Sequence, residues 1–189
     1  MQRLVLGCLF TLASSALASG FLGTSENNVS KLLCQKYGCK QLFTSSYDSI
    51  SMGILKETGY QLLKINAKVI ISSSESGHVV IAETLTPQSP PDEQSLNYFI
   101  QFVESAMGSK YRRDLYYKCF DNLDIDRALK EDEEIRQMRS RGGVEENPKN
   151  PAIGEDRRNI ASSQEIAVDC FLRPYRNSGV TGIRVYFPD

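Results

Sequence analysis

The sequence has little of what catalysis or metal binding would need. His78 is its one histidine in 189 residues, and no two cysteines stand at C-x-x-C spacing. A Cys/His metal centre therefore has too few donors, and neither a metal nor another cofactor is expected. Charge of one sign is also lacking, with 22 Lys and Arg against 23 Asp and Glu. That balance argues against bulk attraction to nucleic acid or to an anionic membrane. Past the first residues, no apolar run approaches the ~20 residues that a spanning helix requires.

The exception is the start, MQRLVLGCLFTLASSALASG. Arg3 is a short basic region, Leu4 to Leu17 an apolar one, and Ala16-Leu17-Ala18 a small-x-small cleavage pattern. Residues 1–18 are read as a signal peptide, which makes the protein secreted or periplasmic. Cleavage removes Arg3 and Cys8, leaving 21 basic and 23 acidic residues (net −2) and the four cysteines Cys34, Cys39, Cys119 and Cys170. An even cysteine count in an exported chain is the signature of a disulfide framework. Of the three possible pairings, Cys34–Cys39 with Cys119–Cys170 is favoured. The longer loop contributes about 4 kcal/mol and the short one about 2 kcal/mol in the chain-entropy model.

Residues 19–189 read as one exported α+β domain. A short helix is expected over 27–37, with Val29, Leu32 and Leu33 at helical spacing and Gly38 as its stop. Three strands follow, near 49–57, 60–73 and 78–86; in the second, Leu63, Ile65, Ala67, Val69 and Ile71 alternate with mostly polar neighbours. TPQSPPDEQ opens the clearest helix, whose stripe of Leu96, Phe99, Ile100, Val103, Ala106 and Met107 should lie on a sheet until Gly108 ends it. A mostly solvated helix is expected in DNLDIDRALKEDEEIRQMRSRGG, then a flexible loop at about 141–163. Ile166, Val168, Cys170 and Leu172, with Ile183, Val185 and Phe187, form a terminal hairpin turning at RNSG. The fold class is an antiparallel sheet, meander plus C-terminal hairpin, with helices packed on one face; the order suggests a loose repeat of a helix-then-sheet unit.

Few residues invite chemistry. His78 sits in SSSESGH, a polar turn whose neighbours cannot form a triad. Glu83 in VVIAETL is a candidate acid if buried, but the rarity of unpaired buried carboxylates places it in water. Asp121, Asp124 and Asp126 read as helix caps, because Arg127 occupies the glycine position that an EF-hand loop would require. Lys110, Arg112 and Arg113, with Tyr111, Tyr116, Tyr117 and Lys118, mix basic and aromatic groups as a site for single-stranded nucleic acid or an anionic polymer would, or form a solvated lead into a strand, which the neutral overall charge favours. Asn28-Val29-Ser30 is a glycosylation triplet in hosts that glycosylate exported chains.

If the hairpin's apolar residues face inward, Arg173, Tyr175, Arg184 and Tyr186 share its outer face. Arginine and tyrosine are the residue types enriched at binding hot spots. The sequence thus reads as a non-enzymatic, disulfide-stapled binding domain whose partner is a protein or anionic polymer outside the cytoplasm, with this face as the patch. Removing Arg184 and Tyr186 together is expected to spare folding. The alternatives are thiol–disulfide exchange at Cys34 and Cys39, a hydrolase using Glu83, and a protease inhibitor using the 141–163 loop.

Overall fold

The computed structural model describes residues 20–49, 51–142, 153–162, 165–175 and 178–188. The signal segment, residues 143–152 and 163 of the charged loop, and residues 176 and 177 of the RNSG turn therefore lie outside the described residues.

Helix α1 (Glu26–Tyr37) turns Val29 and Leu33 inward, and its first residue anchors it to the sheet. The Glu26 carboxylate accepts hydrogen bonds from Thr58 Oγ1 (2.7 Å), Ser73 Oγ (2.9 Å) and Lys56 Nζ (3.0 Å). Gly38 ends the helix at φ 62°, a left-handed conformation that favours glycine. The chain reverses there, and Cys39 returns to pair with Cys34. CQKYGC is thus a helix end, a glycine turn and a staple.

Four strands follow as an antiparallel meander: β1 (Cys39–Ser49), β2 (Gly53–Leu62), β3 (Ala67–Ser73) and β4 (Val79–Thr86). Next come helices α2 (Glu93–Met107), α3 (Arg113–Asp121) and α4 (Ile125–Ser140), then strands β5 (Asp156–Ser162), β6 (Ala167–Tyr175) and β7 (Ser178–Tyr186). All seven strands make one sheet in the order β1-β2-β3-β4-β7-β6-β5. The fold is α+β, a meander joined to a C-terminal hairpin.

The boundaries differ from the sequence expectation in five places, the first being that the strand expected near 49–57 runs from Gly53 to Leu62, after a turn at 51–52. The run at 60–73 is not one strand: β2 ends at Leu62 and β3 begins at Ala67. Between them Asn66 takes φ 43°, and Leu63 is 65% exposed. The alternation of Leu63 and Ile65 therefore runs through a turn. Strand β1 lies where none was expected. The basic–aromatic stretch is helical from Arg113, not a lead into a strand. Part of the expected loop, Asp156–Ser162, is the edge strand β5.

The core lies between the sheet and the helices. Leu96, Phe99, Val103 and Ala106 of α2 meet Val69, Ile71, Ala82, Val168, Ile183 and Val185, all fully or almost fully buried. Burying such a side chain contributes roughly 1.5–3 kcal/mol, so the α2 stripe is a main source of stability. Asp92 caps α2, accepting from the Ser95 N–H at 2.7 Å, and the left-handed Gly108 closes it. Cys119 of α3 is bonded to Cys170 of β6, with Cα atoms 6.2 Å apart, and Phe120 stacks on Phe99 at 5.4 Å between centroids.

The two disulfides bridge sequence separations of 51 and 5 residues. Chain entropy then predicts that Cys119→Ala/Cys170→Ala loses about 4 kcal/mol of stability and Cys34→Ala/Cys39→Ala about 2 kcal/mol. Urea unfolding of the two double variants checks the order; equal losses would exclude loop closure as the source.

Candidate binding face

Strand alternation sends one set of side chains to the helices and the other to the opposite face of the sheet. On β4 the helix side takes Ala82 and Thr84, and the opposite side takes Glu83 and Leu85. On β7 Arg184 stands opposite Glu83, and on β6 Asp169 stands opposite Arg184. Arg173, Tyr175 and Tyr186 share that face, so the structure brings the four hairpin residues to one side of the sheet.

At the centre of this face lies an ion cluster. Arg173 grips Glu83 with two parallel hydrogen bonds, Nη1 to Oε1 at 2.7 Å and Nη2 to Oε2 at 2.8 Å. Arg184 donates to Glu83 Oε2 from Nε (3.1 Å) and Nη2 (2.8 Å). Glu155, just before β5, accepts from Arg173 Nε at 3.0 Å and from Arg184 Nη1 at 2.8 Å. Two arginines and two glutamates thus balance in charge. The arginine side chains are 16% and 18% exposed.

Beneath the cluster is Phe171, fully buried, with the Arg173 and Arg184 guanidinium carbons 4.5 and 5.3 Å from its ring centroid. Guanidinium groups stack favourably on aromatic faces. The ring lies over Gly182, where a Cβ would collide with both the ring and the Thr84 carbonyl oxygen. Ile70 and Leu85 pack against Phe171, with Phe43 and Val180 at the margin.

Glu83 is therefore not in water as expected: it is 6% exposed. Val79 and Ala82 face the helices, and the side of the strand that carries Glu83 and Leu85 is covered too. Burial pushes the Glu83 carboxyl up, and Arg173 and Arg184 outweigh it, holding the pKa at about 2. A carboxyl held there stays ionised and lacks the proton that an acid catalyst must give. The same geometry corrects the expectation that Arg184 can be removed without harm to folding. Its loss strips a partner from two buried carboxylates, and breaking a buried pair costs about 3–5 kcal/mol.

Around the cluster, Tyr186 Oη donates to Asp169 at 3.0 Å, and Asn159 Nδ2 donates to the other Asp169 oxygen at 2.9 Å. Arg157 Nε lies 3.6 Å from Asp169. The Tyr47 hydroxyl is raised to about 12, by burial first and by Glu57 next. Burial also lowers the Lys68 pKa, while Glu83 opposes that shift. Tyr175 is 54% exposed at the hairpin end.

The other expected residues lie elsewhere. Lys110, Arg112 and Arg113 are at the start of α3, across the sheet from Arg173, because Cys119–Cys170 ties α3 to the helix side. Arg112 chelates Asp114 (3.0 and 2.7 Å), and Arg113 is bonded to Glu93 and to Tyr117. His78 is in the β3–β4 turn, its Nδ1 2.9 Å from Ser76 Oγ. Asp124 caps α4 through the Asp126 N–H. Among the described residues no group of three or more His, Cys, Asp or Glu side chains is placed to hold a metal ion.

One feature had no sequence signal: an open groove of about 650 Å³ between α1 and α2. Phe21, Leu32, Tyr37 and Phe102 line it, with Asn28 and Gln101 among its polar groups. Leu32 shares the helical pattern of Val29 and Leu33, but it is 60% exposed on the wall of this groove.

Comparison with protein-family models, curated proteins and solved structures found no match to this chain. Its function is therefore argued from these residues alone.

A carboxylate depressed to about 2 contributes stability that is complete above its ordinary pKa of 4.5 and lost as pH falls toward 2. Glu83→Gln should thus be less stable than wild type by about 3–5 kcal/mol at pH 7, with the gap closing as both approach pH 2. Thermal unfolding across that range reads it. A gap that stays constant with pH would show that the ionised carboxylate is not its origin.

Proposed function

We propose that the protein is an exported, disulfide-stapled binding domain that recognises another protein through the sheet face opposite its helices. The Arg173–Arg184–Glu83–Glu155 cluster on its phenylalanine base carries this reading. Side chains held on every side lose little entropy when a partner arrives, and preorganisation of that kind favours affinity. Tyr175, Tyr186 and Arg157 surround the cluster with the residue types that dominate binding hot spots.

The cluster's internal neutrality favours a protein over an anionic polymer, since both guanidinium charges are already matched by carboxylates. The export half of the reading draws on the leader-like residues 1–18 and on both disulfides, which persist in oxidising compartments. No helix among the described residues is long and apolar enough to cross a membrane, which fits a chain acting after its leader is removed. Acid catalysis by Glu83 has less support, because its carboxyl is held well below the usual carboxylate range and has no proton to give near neutral pH.

The test leaves the ion cluster alone. Tyr175→Ala/Arg157→Ala changes two side chains at its margin, and Leu32→Glu changes the opposite side of the molecule. Immobilised wild-type chain and both variants are challenged with the extracytoplasmic proteins of the source cells, and captured partners are identified by mass spectrometry. Tyr175→Ala/Arg157→Ala should retain its near-UV circular dichroism and lose a specific partner that Leu32→Glu still holds. If it captures everything that wild type does, the sheet face is not the recognition surface.

A further inference from the structure

Asn28-Val29-Ser30 is the one Asn-x-Ser/Thr triplet in the sequence with no proline between. It lies in the first turns of α1, with Asn28 exposed, Val29 fully buried and Ser30 Oγ donating to the Asn27 carbonyl at 3.2 Å. Asn28 also stands on the wall of the α1/α2 groove, one helical turn before Leu32. Residues at i and i+4 share a helix face, so Asn28 and the exposed Leu32 stand on the same side of α1 and both line the groove.

We propose that Asn28 carries an N-linked glycan when the chain leaves through a glycosylating secretory route, and that its first sugars cover the α1/α2 groove. This rests on the export reading above. In the transfer, Asn28 Nδ2 forms a bond to C1 of the reducing-end sugar of a lipid-pyrophosphate oligosaccharide. The C1–phosphate bond breaks, the lipid pyrophosphate leaves with the electron pair, and one amide proton passes to a base on the transferase.

Three features of the groove suit this occupant. Leu32 and Tyr37 offer apolar surface to a sugar ring, Gln101 offers amide hydrogen bonds, and the groove opens to solvent, where the rest of a glycan would extend. The folded helix also sets the timing. Val29 is buried and the Ser30 hydroxyl engaged, so the triplet is available while the chain is still unfolded, before α1 closes on the sheet. The modified surface lies on the opposite side of the molecule from the Arg173–Arg184 face and leaves that face clear.

The precursor with its own leader is secreted from a eukaryotic cell line, alongside Asn28→Gln and Ser30→Ala. Intact mass is measured before and after N-glycosidase treatment. Wild type should carry a removable glycan mass that both variants lack. Hydroxyl-radical footprinting should then find Leu32 less modified in glycosylated wild type than in Asn28→Gln. Secreted, leader-free wild type without the mass increment overturns the proposal. A glycan that leaves Leu32 as reactive as in the variant overturns its groove half. Retention in the cell with the leader attached defeats the export reading, and this inference with it.

Discussion

The pairing of Glu83 with Arg184 holds the two parts of this sheet in one register. The first four strands form a meander that could hydrogen-bond by itself, and the last three follow after three intervening helices. The parts meet where β4 lies against β7, and there the two ionised side chains stand directly opposite. Arg173 extends the cluster to β6, and Glu155 extends it to the chain entering β5. A one-residue slip of β7 would turn Arg184 toward the apolar helix side and leave Glu83 buried without it. Both halves of that error are expensive. Burying such a cluster contributes little net stability compared with a well-packed apolar substitute, so its strongest physical effect is to penalise alternative pairings.

The covalent link to the same region complements this. Cys119–Cys170 fastens α3 to β6 on the helix side, while Arg173 engages β4 on the other. Strand β6 is therefore anchored through alternate residues on both faces. Its Cys170 and Phe171 are fully buried on opposite sides of the sheet, which is why this strand reads as a nearly continuous apolar run from Ala167 to Leu172 interrupted by Asp169.

What the sequence made legible follows the strength of its local signals. The stripe of α2, bounded by Asp92 and Gly108, is periodic and capped, and it was placed correctly. The CQKYGC staple could be read because the glycine that ends the helix also brings the cysteines together. Strand β1 was not legible: CKQLFTSSYDS is an edge strand with many exposed positions, so alternation has little to act on. Strand β5, DRRNIAS, is the other edge and looked like a charged loop for the same reason. The turn at 63–66 was hidden because Leu63 and Ile65 continue a strand's period by chance. The ion cluster left no local trace at all. Glu83 sits 90 and 101 residues from its arginines, and Glu155 came from a segment read as loop.

That hidden cluster changes what the hairpin face can do. Four arginine and tyrosine side chains on a strand pair suggested a cationic, aromatic surface, but folding matches the two arginines to carboxylates. What remains for a partner is a fixed array of hydrogen-bonding groups with little net field. Recognition on such a surface depends on shape and on directional hydrogen bonds, and it is less sensitive to salt than attraction to a polyanion. A proton-transfer site needs a group poised between two protonation states. Glu83 is held far from that condition by the same contacts that fix the geometry of the cluster.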